Sequence, residues 1–191
     1  MSRTETGSRE RIVDATLVLL RRGGLAASGV NSVVAEGKAP KGSVYHYFPG
    51  GKTDIVIAAL QRNRDITAAS LQTHLGSSHP LARRIKAVFK DLAARMSRDD
   101  FTSSCAIGAV ALDIGADETA LRNECASVMT QWIDLVAKCL PEFPANKRRA
   151  AAEFFISLLE GAQLAARARK TASPIANAEE AFLLYAKAVL G

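Results

Sequence analysis

Residues 28–54 read SGVNSVVAEGKAPKGSVYHYFPGGKTD, and this stretch decides the fold class. It holds two short apolar-patterned pieces. One spans 30–36 with Val30, Val33 and Val34 inward, and the other spans 41–48 with Val44, Tyr47 and Phe48 inward. Helices this short are unstable alone in water, so each persists only by packing on the other and on a preceding helix, as in a helix-turn-helix unit. The preceding helix is expected at 9–22, where Ile12, Ala15, Leu19 and Leu20 recur at helical spacing and Arg9, Glu10, Asp14 and Arg21 fall largely on the other face. Ser8 is its expected N-cap and Gly23-Gly24 its expected stop.

The second short piece concentrates groups suited to DNA. With Val44, Tyr47 and Phe48 as an apolar anchor, Lys41, Ser43, Tyr45 and His46 remain available on the other faces. Pro40 suits a first helical turn, where its missing N–H costs nothing, and Gly42 lets a phosphate or base edge approach the backbone. A helix N-terminus also attracts phosphate. Tyr47 and Phe48 are read as core.

Outward from this unit the chain stays helical. Pro49-Gly50-Gly51 breaks it, a long pattern through Ile55, Ala59, Leu60, Ile66 and Leu71 runs from Lys52 to about Leu75, and Gly76 to Pro80 ends that helix. Five more helices follow near 80–97, 103–115, 117–139, 145–170 and 176–190. β-branched residues never alternate with polar ones over a strand-length window. The expected architecture is therefore all-α, with about nine helices. A helix-turn-helix domain at 1–52 is joined by a long helix to a helical domain at 53–191.

Composition narrows the function without naming it. The net charge of +6 and the first 54 residues, with eight Lys or Arg against five Asp or Glu, permit a polyanionic partner. Hydrophobic residues make up 48% of the chain, yet charges interrupt every run before the ~20 residues that a bilayer requires. The start lacks the apolar segment of a secretory signal, so a cytoplasmic protein is expected. Cys105, Cys125 and Cys139 form an odd set without a C-x-x-C pair, which suits buried thiols in a reducing compartment. Cys125 and Cys139, about 21 Å apart along one helix, are too distant to share a metal. No metal and no cofactor is expected.

The run K-G-S-V-Y-H-Y-F followed by Lys52, within 12–54, closely resembles the N-terminal domain of TetR-family repressors. The P-K-G-S and Y-H-Y-F-P-G-G-K form, with S-C-A-I-G-A-V-A-L-D and L-L-E-G-A-Q-L-A-A-R-A downstream, resembles more narrowly the LmrA/YxaF-type subgroup. That resemblance implies a three-helix DNA-binding domain at about 8–50 with the third helix as reader. By position, Ser28 would bind phosphate at the start of helix 2, and Lys41, Gly42 and Ser43 would form the reader's tip. Tyr45 and His46 would contact the DNA backbone, and Lys52, opening helix 4, would anchor a phosphate. One departure stands out, since the family commonly has Gly where this chain has Lys38. If the turn needs φ > 0 there, Lys38 carries modest strain.

For the C-terminal part, Phe89, Leu92, Met96, Cys105, Met129 and Trp132 are candidate pocket residues, because aromatic and thioether side chains line plastic apolar cavities. For any one of them, sequence alone favours ordinary core packing. Phe155, Leu158, Leu159, Ala162 and Ala166, with Phe182, Tyr185 and Val189, either close the monomer core or pair across a dimer axis. The resemblance favours the dimer, with the last two helices and their symmetry mates forming a four-helix bundle. It further implies a homodimeric repressor on a pseudo-palindromic double-stranded operator, released by a small, mostly apolar effector. Helix 4 would be the lever in that release.

Two other classes fare worse. His46, His74 and His79 lack a nucleophile and an orienting partner, so enzyme chemistry has no site, and no Gly-rich loop follows a strand. Non-specific DNA packaging needs a broader basic surface than these Asp- and Glu-punctuated helices offer.

Overall fold

The computed structural model describes residues 3–191, with side chains from Gly7 onward. Nine α-helices and no strand occur among the described residues: α1 Arg3–Ala27, α2 Val30–Glu36, α3 Lys41–Tyr47, α4 Lys52–Leu75, α5 Leu81–Arg98, α6 Ala106–Asp113, α7 Thr119–Lys138, α8 Ala145–Arg169 and α9 Ser173–Leu190. No helix among the described residues is long and apolar enough to cross a membrane.

The first helix departs from expectation at both ends. It begins at Arg3, so Ser8 lies inside it and accepts a hydrogen bond from Arg11 Nη2 at 3.0 Å rather than capping the start. At the other end Gly23 (φ −148°, ψ 20°) and Gly24 (φ 61°, ψ −154°) kink the helix, and one further turn follows to Ala27. Its buried face, with Ile12, Val13, Ala15, Leu17 and Leu20, is broader than the periodic positions alone suggest, while Leu19 is only half-buried.

Proline starts three of the helices. Pro40, Pro80 and Pro144 occupy the N-cap positions of α3, α5 and α8, where an extended backbone and a missing N–H are both harmless. Pro40 thus sits just before the first turn rather than in it. On α4 the apolar pattern holds at Ile55, Ala59, Leu60 and Leu71, but Ile66 is exposed.

Two compact units result, and they do not follow chain order. The first runs through Asp65 and takes up Cys105–Val128; the second comprises Ile66–Ser104 and Met129–Gly191. The first therefore holds α6 as well as the helix-turn-helix, because α6 packs on α1. Sequence divides the chain at 52/53, but α4 and α7 each contribute residues to both units.

The second unit is built on α5, α8 and α9. Phe89, Phe155 and Phe182 form its aromatic centre, with Phe155 edge-on to Phe89 at 5.5 Å and to Phe182 at 4.9 Å between centroids. Arg84, on the inward face of α5, is 95% buried. Its Nη1 donates to the carbonyls of Leu75 and Cys139, each at 2.8 Å, and its Nη2 pairs with Glu142. One guanidinium thereby satisfies carbonyls at the C-terminal ends of α4 and α7, groups that a helix cannot satisfy internally.

Candidate nucleic-acid interface

The interface is built from the short helices outward. Val33 of α2 and Val44 of α3 are completely buried and Phe48 nearly so, and these anchors hold both helices on α1. Each contributes about 1.5–3 kcal/mol of burial, which helices of seven residues need to exist at all. Arg9 of α1 stacks over the Phe48 ring at 5.5 Å, closing the underside. Tyr47 is half-buried rather than fully in the core.

With that face buried, the opposite face of α3 is fixed. Pro40, Lys41, Gly42, Tyr45 and His46 are exposed and Ser43 is half-buried, and Tyr45 is 55% exposed despite its size. These six residues share one short helix and its cap. A Cβ built on Gly42 meets nothing within 4 Å. No neighbour within the chain therefore requires glycine there, as expected where an external group approaches the backbone.

The turn before α3 answers the question raised by Lys38. Its φ is +46°, so the left-handed conformation is adopted by a lysine. Glycine stands one position earlier for a different reason. A Cβ on Gly37 would lie 3.0 Å from the Arg11 carbonyl and 3.2 Å from Ala15 Cβ, so Gly37 lets α2 close on α1.

Two of the expected phosphate contacts have partners inside the protein. Ser28 is 98% buried and its hydroxyl donates to the Leu25 carbonyl at 3.0 Å. It shapes the turn into α2, whose N-cap is Gly29, whereas Asn31 and Ser32 are the exposed polar side chains of the first α2 turn. Sequence reading passed over both; helical spacing, which sets Asn31 nearly opposite the buried Val33, is the signal that could have found them. Lys52 is exposed, and its Nζ donates to the same Leu25 carbonyl at 2.7 Å. An ammonium has three donors, so this bond orients Lys52 and leaves capacity for a phosphate.

The other groups of candidates sit elsewhere. Phe89, Leu92, Met96 and Trp132 are buried in the second unit and Met129 is half-buried there. Cys105 belongs to the first unit, where it accepts a hydrogen bond from the buried Asn63 amide at 4.0 Å. Of the proposed dimer residues, Phe155, Leu159, Ala162, Ala166 and Phe182 are buried within the single chain, while Leu158, Tyr185 and Val189 are half-buried. The buried five contribute to the protomer core. The large apolar side chains left exposed on these two helices are instead Phe154, Leu164, Leu184 and Leu190.

Nucleophilic chemistry has no foothold at Cys125, since burial, followed by the nearby Glu124 charge, pushes its thiol up to about 11 and keeps it protonated at neutral pH. Burial likewise raises the Cys139 thiol. Among the described residues no three His, Cys, Asp or Glu side chains converge as a metal would require.

An all-helical chain with a helix-turn-helix that turns a basic and polar face outward defines a DNA-binding regulator of transcription. Comparison with known proteins agrees. Residues 12–59 match the bacterial regulatory proteins of the tetR family, and residues 82–181 match the LmrA/YxaF-like transcriptional regulator C-terminal domain. An HTH-type transcriptional regulator of Mycobacterium tuberculosis is 31% identical over 176 residues, covering 88% of this chain and 89% of its own. LmrA of Bacillus subtilis, an HTH-type transcriptional regulator, is 26% identical over 170 residues, covering 88% and 90%. The crystal structure of a TetR regulatory protein from Rhodobacter sphaeroides superposes with a TM-score of 0.83 at 27% identity, covering 92% of this chain and 96% of that one. The chain belongs to the TetR family of bacterial transcriptional regulators, with an LmrA/YxaF-like C-terminal domain.

Proposed function

We propose that this regulator is a cytoplasmic homodimeric repressor that reads a pseudo-palindromic operator with α3 and leaves it when a small, mostly apolar molecule binds. The observation that carries the reading is the exposed face of α3, where Lys41, Tyr45 and His46 surround a glycine that no neighbour requires. Lys41 and His46 suit phosphate or base edges, and Tyr45 suits the sugar-phosphate backbone. Lys52 adds a phosphate anchor at the start of α4, and Ser28 supports it through the shared Leu25 carbonyl.

A dimer is supported by the apolar faces left over on α8 and α9. Phe154 and Leu158 lie on one stripe of α8, where Phe154 meets Tyr185 of α9 edge-on at 4.9 Å, and Leu164 is exposed further round the same helix. Leu184 of α9 is exposed as well, and a second copy related by a twofold axis would cover these side chains. Two α3 helices in such a dimer would enter successive major grooves ~34–36 Å apart. The effector would lodge among Phe89, Leu92, Met96, Met129 and Trp132, an apolar, polarisable set that admits a ligand only by repacking. A relative in Mycobacterium sp., 25% identical over 183 residues, carries the name HTH-type transcriptional repressor DhaR, which supports repression.

The test is selection of a duplex by the purified protein from a randomised library, followed by salt-dependent binding of wild type and a Lys41→Ala, Tyr45→Ala double variant. Enrichment of one inverted-repeat sequence, with at least about tenfold weaker binding by the variant, is expected. Recovery of no preferred sequence would overturn specific reading.

A further inference from the structure

We infer that Asp113, the last residue of α6, is a positioning residue for the phosphate-facing edge of the DNA-binding surface, acting through the backbone of Leu25. The inference rests on the function proposed above and assigns a role to a residue that reading leaves unused.

The geometry starts at the kink of α1. An unbroken helix would bond the Leu25 N–H to the carbonyl four residues back. The turn at Gly23 and Gly24 releases it, and Asp113 Oδ2 accepts it at 2.7 Å from 88 residues away. Gly24 is shaped for this contact twice over. Its φ of +61° is unfavourable for other residues, and a Cβ there would lie 2.1 Å from Asp113 Oδ2. The carboxylate thus occupies the space that a side chain would need.

The other half of Leu25 faces the DNA-binding groups. Its carbonyl accepts from Lys52 Nζ at 2.7 Å, from Ser28 Oγ at 3.0 Å and from the Ser28 N–H at 3.3 Å. One residue therefore carries an anion on its N–H and an ammonium on its C=O, and its side chain is buried. With the N–H held, the carbonyl has a fixed direction, and Lys52 is held in one of its many rotamers before a phosphate arrives. Without Asp113, the glycine-flanked turn loses that restraint. Lys52 then has to be ordered during binding, which weakens the phosphate contact without removing any DNA-facing group.

The test compares Asp113→Ala, Asp113→Asn, Lys52→Ala and the Asp113→Ala, Lys52→Ala double variant on the duplex selected by wild type, across a salt series well below each thermal midpoint. Asp113→Ala is expected to bind about fivefold more weakly, with the log-log salt slope reduced by up to about 0.9 per chain, the share of one phosphate contact. Asp113→Asn keeps an oxygen acceptor for the Leu25 N–H and should restore most of both quantities. Adding Asp113→Ala to Lys52→Ala should change little further. A lowered thermal midpoint with wild-type slope and affinity, or losses that add in the double variant, would overturn the inference and leave Asp113 a stabilising contact only. Salt-independent or absent binding by wild type would instead sink the DNA-binding reading itself, whatever Asp113 does.

Discussion

Lys38 shows how a single residue records a compromise. The turn between α2 and α3 places it at φ +46°, a conformation that costs a side-chain-bearing residue about 1–2 kcal/mol, while Gly37 is committed to close packing on α1. Lys38→Gly should therefore raise unfolding stability by about 0.5–1 kcal/mol, the relieved strain exceeding the extra entropy that glycine loses. Denaturant melts will show this, and a destabilised variant would mean that the lysine side chain makes a compensating contact. This position was legible only through the family resemblance, which sets a glycine where this chain has Lys38. Ser28 was legible in place but not in role, because only the fold shows its hydroxyl turned inward to Leu25. Asp113 was not legible, since its partner lies 88 residues away and no local pattern marks such a bond.

At the scale of elements, periodicity located the helices well and assigned their faces less well. Arg84 is the clearest case, because an arginine in an amphipathic helix reads as part of the wet face. Here it is buried against the last carbonyls of α4 and α7 and against Glu142. Arg84→Met should fill comparable volume yet leave two carbonyls without their donor, at about 1–3 kcal/mol each. A loss of about 2–4 kcal/mol in thermal or denaturant unfolding is expected, and a neutral result would show that water replaces the guanidinium at no cost. The same ambiguity governed α8, where Phe154 and Phe155 are neighbours and sequence cannot say which stripe faces inward. The structure buries Phe155 completely and leaves Phe154 37% exposed. Of the residues expected at a dimer axis, Phe155, Leu159, Ala162, Ala166 and Phe182 are buried within the chain, while Leu158, Tyr185 and Val189 are half-buried.

At the scale of the whole molecule, the proposed reader lies in the first unit and the proposed dimer surface in the second. Leu164 and Leu184 are 58% and 61% exposed on the second unit, where isolated aliphatic side chains gain nothing from water. Covering each in a dimer would contribute about 1.5–3 kcal/mol. Leu164→Glu with Leu184→Glu should consequently raise the dimer dissociation constant by at least about a hundredfold, read by sedimentation velocity, while leaving the helical content of each chain intact. A variant that stays dimeric would place the interface on another surface. The architecture was legible in outline because helix breakers, capping prolines and apolar spacing all agree along this chain. The grouping of α6 with the helix-turn-helix was not, because it depends on the packing of α6 on α1.

The central claim, that paired α3 helices read DNA, is tested most directly by hydroxyl-radical footprinting of the selected duplex with wild type and with the Lys41→Ala, Tyr45→Ala variant. The account predicts two protected half-sites one helical turn, ~34–36 Å, apart, both lost in the variant. A single protected patch, or protection that the variant retains, would contradict it.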